Sequence, residues 1–324
     1  MGHGALCRNA CCAGRRSRGF GRRTRRGPSA WPVGIRRAAG RIAHGRPFSG
    51  LHRRALVRRM RELVRRIEYA WRLFATGAMY LVFGLVGIVF SLLVFPPLQL
   101  ALSGQPDLRV RVARNIIHHS WGFYLRLMVL LGVITLTVKG REILEQESGA
   151  IVIANHPSLL DIVILISIMK NTKCIVKQGV WNNPFMRSSV RSAGYIPNTD
   201  DPDDLIAKCR DGLASGSNLI IFPEGSRSVP GQPMKFQRGF AHLALRTGAP
   251  LRLVHLECDP PTLLKGQKWY DIPPSRSRFR VTVGERLDVA SLDLDPLPSR
   301  AVRQLTNCVT ARYKEFQDDG SVGN

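Results

Sequence analysis

Ala150-Ile151-Val152-Ile153-Ala154-Asn155-His156-Pro157-Ser158-Leu159-Leu160-Asp161 is an apolar run that breaks into a polar turn and then returns to apolar residues. The run is too short for a helix and reads as a buried strand, with a helix expected over Leu159–Met169. A stretch of the same design begins sixty-eight positions later, Asn218-Leu219-Ile220-Ile221-Phe222-Pro223-Glu224-Gly225-Ser226-Arg227-Ser228. Strands of this kind carry polar side chains to the carboxyl edge of a sheet, where α/β proteins place their sites.

Working outward, further strands are expected at Leu136–Lys139, Lys173–Lys177, Leu251–Glu257 and Phe279–Gly284. Helices are expected at Pro202–Ala214, Phe236–Thr247 and Arg300–Phe316, with Gly216 and Gly248 at C-terminal caps. This alternation predicts an α/β domain over 137–318, a mixed, largely parallel sheet flanked by helices. Residues 319–324 form a polar tail.

Ahead of that domain the composition changes twice. Leu73–Pro106 holds thirty-four residues without a formal charge, and the apolar part, Leu73–Phe95, exceeds the ~20 residues a bilayer span needs. It reads as a membrane helix that Pro96-Pro97 should stop. A second apolar stretch, Ser120–Leu136, contains Arg126. Because an Arg at mid-bilayer costs roughly 2.5–3.5 kcal/mol, this stretch is expected to lie in the interface. Arg109, Arg111 and Arg114 flank the first segment on one side and the Arg cluster 53–72 on the other. Positive charge on both sides favours a dipping hairpin, with two-span and one-span arrangements as the alternatives, so residues 60–136 are expected to form membrane-associated helices.

The chain carries a net charge of +25, of which residues 1–72 supply +18 through twenty Arg against Glu62 and Glu68. Residues 1–59, rich in Arg, Gly and Ala, lack apolar periodicity and are expected to be disordered. Three readings of this arm stand side by side: a surface for anionic lipid or nucleic acid, a transit peptide, or a stretch upstream of a true start at Met60. It has no base-reading motif, so no nucleic-acid partner is expected. Seven cysteines without paired spacing suggest neither a disulfide framework nor a zinc site.

The chemistry rests on His156 and Asp161. On one continuous helix they would be ~140° apart, so meeting requires His156 to sit in the turn before the helix, with Pro157 at its first position and Asp161 in its second turn. Asp161 would then hold one imidazole nitrogen and leave the other to remove a hydroxyl proton as general base. No G-x-S-x-G elbow is present to suggest a serine nucleophile. In the second motif Arg227 can grip a phosphate bidentately, Gly225 lets backbone approach a ligand, and Glu224 can accept from a hydroxyl or orient Arg227. Alone, either motif is a weak signal; their order and context are what raise it.

Asn155-His156-Pro157-Ser158-Leu159-Leu160-Asp161 and Phe222-Pro223-Glu224-Gly225-Ser226-Arg227-Ser228 together resemble the first and third blocks of the lysophosphatidate acyltransferase family, the glycerolipid acyltransferases. The resemblance covers roughly residues 115–290, and Ala249-Pro250-Leu251 stands at the fourth block. It implies transfer of an acyl chain from acyl-CoA or acyl-carrier protein to a lysophospholipid hydroxyl, such as that of 1-acylglycerol-3-phosphate, at the cytoplasmic face of a membrane. Neither metal nor cofactor is implied. It assigns the charge-relay pair to His156 and Asp161, and acceptor binding to Glu224, Gly225, Ser226 and Arg227, with Ser226 where threonine is commoner.

The second block departs from the family. Gly194-Tyr195-Ile196-Pro197-Asn198-Thr199-Asp200 lacks the expected arginine and is followed by Asp201, Asp203 and Asp204. Lys177, Lys235 or Arg238 would have to supply the missing cation, or the acceptor would carry another headgroup, such as a lyso-aminolipid. A thioesterase that uses water in place of the lipid hydroxyl is the rival reaction; a non-catalytic basic membrane- or nucleic-acid-binding protein is the rival class.

Overall fold

The computed structural model describes residues 49–199 and 201–322. The elements in chain order are α1 (Ser49–Val89), a π turn (Phe90–Val94), α2 (Phe95–Ala101), α3 (Pro106–Leu130), β1 (Ile134–Lys139), α4 (Arg141–Gln146), β2 (Ile151–Ala154), α5 (Asp161–Ile168) and β3 (Thr172–Val176). After these come α6 (Gln178–Trp181), α7 (Arg187–Ser192), β4 (Ile196–Pro197), α8 (Pro202–Ala214), β5 (Asn218–Ile221) and α9 (Gly239–Thr247). The chain closes with β6 (Leu251–Asp259), β7 (Ser277–Leu287), a 3₁₀ turn (Val289–Ser291) and α10 (Pro298–Val322). Each expected strand is present within a few residues. The short α4, α6, α7 and β4 were not anticipated, because one or two turns leave no readable period.

The seven strands lie in the order β1-β7-β6-β2-β5-β3-β4, and every neighbouring pair is parallel except β6–β7. β2 sits between β5 and β6, and all four of its residues are fully buried, as a central parallel strand requires. One face of the sheet is covered by α3 and α5, whose Ile117, Leu125, Val163 and Ile166 share a core with Val152, Ile220 and Val254. The other is covered by α8, α9 and α10, whose Cys209, Phe240, Leu305 and Tyr313 pack with Ile151, Ile153 and Leu253.

Several expectations ahead of the sheet are corrected. Pro96-Pro97 do not end the helical path. A π turn intervenes, Phe95 N–H bonds to Phe90 O, and the prolines fall in the first turn of α2, where no amide donor is needed. Ser120–Leu136 is not one element: its first part is the end of α3, and Ile134–Leu136 already belongs to β1 after the turn at Gly132. Leu125 and Met128 are buried against the domain, while Arg126 is exposed.

Two of the flanking arginines are internal. Arg114 donates to Ala193 O at 2.8 Å and to Ser217 Oγ at 3.0 Å, and Arg72 donates to Pro273 O and Pro274 O. They therefore do not count as charges beside a bilayer. Met79 and Phe95, from the apolar segment, belong to the same core as the sheet. Within Arg53–Ala101 lies a stretch long and apolar enough to cross a membrane, little of it buried.

The expected arm over 1–59 lies outside the described residues as far as Phe48; Ser49–Arg59 is helical. The C-terminal helix begins at Pro298 and runs on to Val322, beyond the expected end at Phe316. α9 starts at Gly239 rather than Phe236.

Candidate active site

β2 and β5 pair in parallel with a constant offset: Ile151 faces Leu219, Val152 faces Ile220 and Ile153 faces Ile221. Extending that offset past the strand ends sets His156 beside Glu224. The contact is made: His156 N–H donates to Glu224 Oε1 at 2.9 Å, across 68 positions of chain. Ser228 completes the link, its N–H donating to His156 O at 2.7 Å and its hydroxyl to Glu224 Oε1 at 2.8 Å. The two motifs are thereby one structure, stitched through backbone and carboxylate.

On the other side Asn155 replaces a missing rung of the sheet. Its side chain donates to Leu256 O at 2.8 Å and accepts from Leu256 N at 2.7 Å, tying the start of the turn to β6. Tyr313 of α10 holds the strands just below. Its hydroxyl lies 2.6 Å from Ile153 O and 2.9 Å from Val254 O.

His156 Nδ1 and Asp161 Oδ2 are 2.9 Å apart. The route differs from expectation, because Asp161 is the first residue of α5 rather than part of its second turn. Pro157–Leu160 form a turn that folds back, and Asp161 Oδ2 also accepts from Ser158 N–H at 2.7 Å. Ser158 is fully buried and its hydroxyl donates to Thr262 O at 3.0 Å, so the turn is fixed from both sides.

Asp161 is wholly buried, and burial pushes its carboxyl up to about 6 against the pull of the His156 and Ser158 hydrogen bonds. Its Oδ1 is buried without a partner. An acceptor held this way fixes the imidazole orientation and leaves Nε2 as the free ring nitrogen. Phe222 stacks on the imidazole, with ring centroids 4.2 Å apart and planes at 20°.

His156 lines a cavity of about 1230 Å³, larger than the ~300–1,000 Å³ of an ordinary small-molecule pocket. Its walls are mainly aliphatic and aromatic: Met79 and Phe83 from α1, Ile117 from α3, Val163 and Ile166 from α5, Val176 from β3, Leu263 and Trp269 from the β6–β7 connection. Walls of this kind are chemically suited to a long hydrocarbon chain.

Of the remaining expected site residues, Gly225 has φ +68°, and a Cβ there would approach Gln237 Nε2 to 3.1 Å, so the turn requires glycine. Ser226 is exposed beside it. Arg227 Nη1 donates to Leu263 O at 2.6 Å and Leu264 O at 3.1 Å, pinning the connection that roofs the cavity. Lys177 lines the cavity, whereas Lys235 and Arg238 are exposed on the β5–α9 connection that also carries Glu224–Arg227.

The acids after the second block have another use. Asp201 caps α8, accepting from Asp203 N–H at 2.9 Å and Asp204 N–H at 3.3 Å, while Asp203 and Asp204 pair with Arg246 and Lys208. Sequence reasoning gave no role to Ser158, Ser228 or Phe222. The shared offset of sixty-eight was the available signal for the cross-strand link. Among the described residues, no three His, Cys, Asp or Glu side chains are grouped to hold a metal ion.

The class this defines is an α/β protein whose largely parallel sheet sets a His–Asp pair against an apolar cavity. Residues 135–254 match the Acyltransferase family model. A chloroplastic 1-acyl-sn-glycerol-3-phosphate acyltransferase from Arabidopsis thaliana is 32% identical over 118 residues, 35% of this chain and 33% of the relative. A 1-acyl-sn-glycerol-3-phosphate acyltransferase from Cocos nucifera is 30% identical over 172 residues, 51% of this chain and 54% of the relative.

The chain thus spans between a third and about half of the length of these relatives. The crystal structure of the 1-acyl-sn-glycerophosphate acyltransferase from Thermotoga maritima superposes with a TM-score of 0.58 at 18% identity, over 76% of this chain and 96% of that one. It has the same fold.

Proposed function

We propose that this protein is a membrane-bound O-acyltransferase that moves an acyl chain from acyl-CoA or acyl-carrier protein to the hydroxyl of a lysophospholipid, with 1-acylglycerol-3-phosphate as acceptor and phosphatidate as product. The observation that carries this reading is the pairing of His156 with buried Asp161 beside a large apolar cavity. His156 Nε2 takes the acceptor hydroxyl proton as the oxygen attacks the thioester carbonyl. Asp161 steadies the imidazolium, and the proton leaves with the thiol of the donor. No cofactor is needed beyond the acyl donor.

Arg227 and Lys177 supply positive charge for the acceptor phosphate in this reading. With Asp201, Asp203 and Asp204 engaged by backbone amides, Arg246 and Lys208, that phosphate meets less opposing charge from them than the sequence suggested. Membrane residence is supported by the apolar segment within Arg53–Ala101, and we place the catalytic domain on the cytoplasmic face.

The test is transfer from labelled acyl-CoA to lysophosphatidate by purified protein, beside His156→Ala. Labelled phosphatidate from the wild type alone supports the proposal. Free fatty acid in its place would establish the thioesterase. Product on a lyso-aminolipid but not on lysophosphatidate would move the acceptor while leaving the reaction.

A further inference from the structure

The stretch Arg53-Arg54-Ala55-Leu56-Val57-Arg58-Arg59-Met60-Arg61-Glu62-Leu63-Val64-Arg65-Arg66-Ile67 lies within the helix α1 and has two faces. At ~100° per residue, Leu56, Val57, Met60, Leu63, Val64 and Ile67 fall within ~120° of arc. Arg53, at the N-terminal end of the stretch, is the one arginine within that arc; Arg54, Arg58, Arg59, Arg61, Arg65 and Arg66 occupy the rest, with Glu62 as the single acid. All six apolar side chains are 43–61% exposed, so the stripe is uncovered.

We propose that this face docks on an anionic lipid headgroup layer. The stripe sinks to the boundary between acyl chains and headgroups. Arg61 and Arg54 on one border, and Arg59 and Arg66 on the other, extend along it to the phosphates. Charge selects this partner over a second copy of the chain. Two such helices packed stripe to stripe would bring their bordering arginines together with one acid each to offset them. It also selects lipid over nucleic acid, because Arg53–Ile67 contains no aromatic side chain on which a base could stack and nucleic acid would leave the apolar stripe wet.

Hydrogen exchange on the full chain tests this, with one copy per lipid nanodisc in discs of phosphatidylcholine alone or phosphatidylcholine with phosphatidylglycerol. The readout is independent of any turnover. Amides of Arg53–Ile67 should exchange about tenfold or more slowly in the anionic discs, and high salt should erase the difference. Replacing Arg54, Arg59, Arg61 and Arg66 by Gln keeps helix propensity and should abolish the slowing, as should Leu56→Gln with Leu63→Gln. Unchanged protection of β2 and α5 amides reports an intact fold in each variant. Equal protection in both disc types would overturn the proposal. So would protection that appears only with two copies per disc, or only on adding RNA.

Discussion

Asp161→Asn should separate what the buried carboxylate does for chemistry from what it costs the fold. The wild-type carboxyl is raised from 3.8 to about 6, chiefly by burial. Below pH ~4 it is protonated in both folded and unfolded chains and costs nothing. Stability is then lost as pH rises through ~6, and the full difference corresponds to about 3 kcal/mol at neutral pH.

Asn carries no charge, and its side-chain oxygen can keep the bonds from His156 and Ser158. Its amide nitrogen must then sit where Oδ1 lies buried without a partner, at a cost of about 1–3 kcal/mol that does not change with pH. The variant is therefore expected to gain on the wild type by about 3 kcal/mol between pH 4 and pH 7.5, about 6–12 °C in Tm for a domain of this size. Melting in detergent across that range measures it; the step belongs to the His156–Asp161 pair as a unit. Over the same comparison kcat should fall by about 10³–10⁴ with little change in acceptor KM. A difference in Tm that stays flat with pH would refute the assignment of a raised, ionisable Asp161, and full activity in the variant would refute its role.

Three further outcomes are expected. His156→Ala should lower turnover by about 10²–10⁴ without moving Tm by more than a few degrees, and equal turnover would remove the general base from the mechanism. Glu224→Ala takes the shared acceptor from His156 N–H and Ser228 Oγ, so kcat should drop about tenfold or more while acceptor KM holds, with Glu224→Gln largely rescuing it; a rise in KM alone would make Glu224 a substrate contact instead. Arg227→Ala releases the carbonyls of Leu263 and Leu264, so amide exchange in that connection should accelerate and acceptor KM should rise several-fold. A raised KM with unchanged exchange would leave phosphate binding as its only task.

The parallel α/β sheet was legible because its central strands are short, apolar and bounded by turn residues, so Ile151–Ala154 and Asn218–Ile221 could be placed from composition alone. His156 and Asp161 were legible as a pair of chemical types, yet their approach was not. The turn Pro157–Leu160 reaches its shape through Ser158, which is held by Thr262 more than a hundred residues away. The apolar segment before the sheet was equally plain in hydropathy, whereas no local pattern signals that Pro96-Pro97 are absorbed by a π turn or that Arg72 and Arg114 point inward to backbone carbonyls.

By itself, then, the sequence determined which strands form, which side chains have the chemistry, and that one segment is apolar enough for a bilayer, since these depend on local pattern and residue type. Tertiary structure decided the rest. The β2–β5 register joins His156 to Glu224 and Ser228. The docking of α1 and α3 on the sheet builds an apolar cavity whose walls come from segments up to about two hundred positions apart. Register and cavity shape follow from packing between distant elements, and no local pattern encodes them.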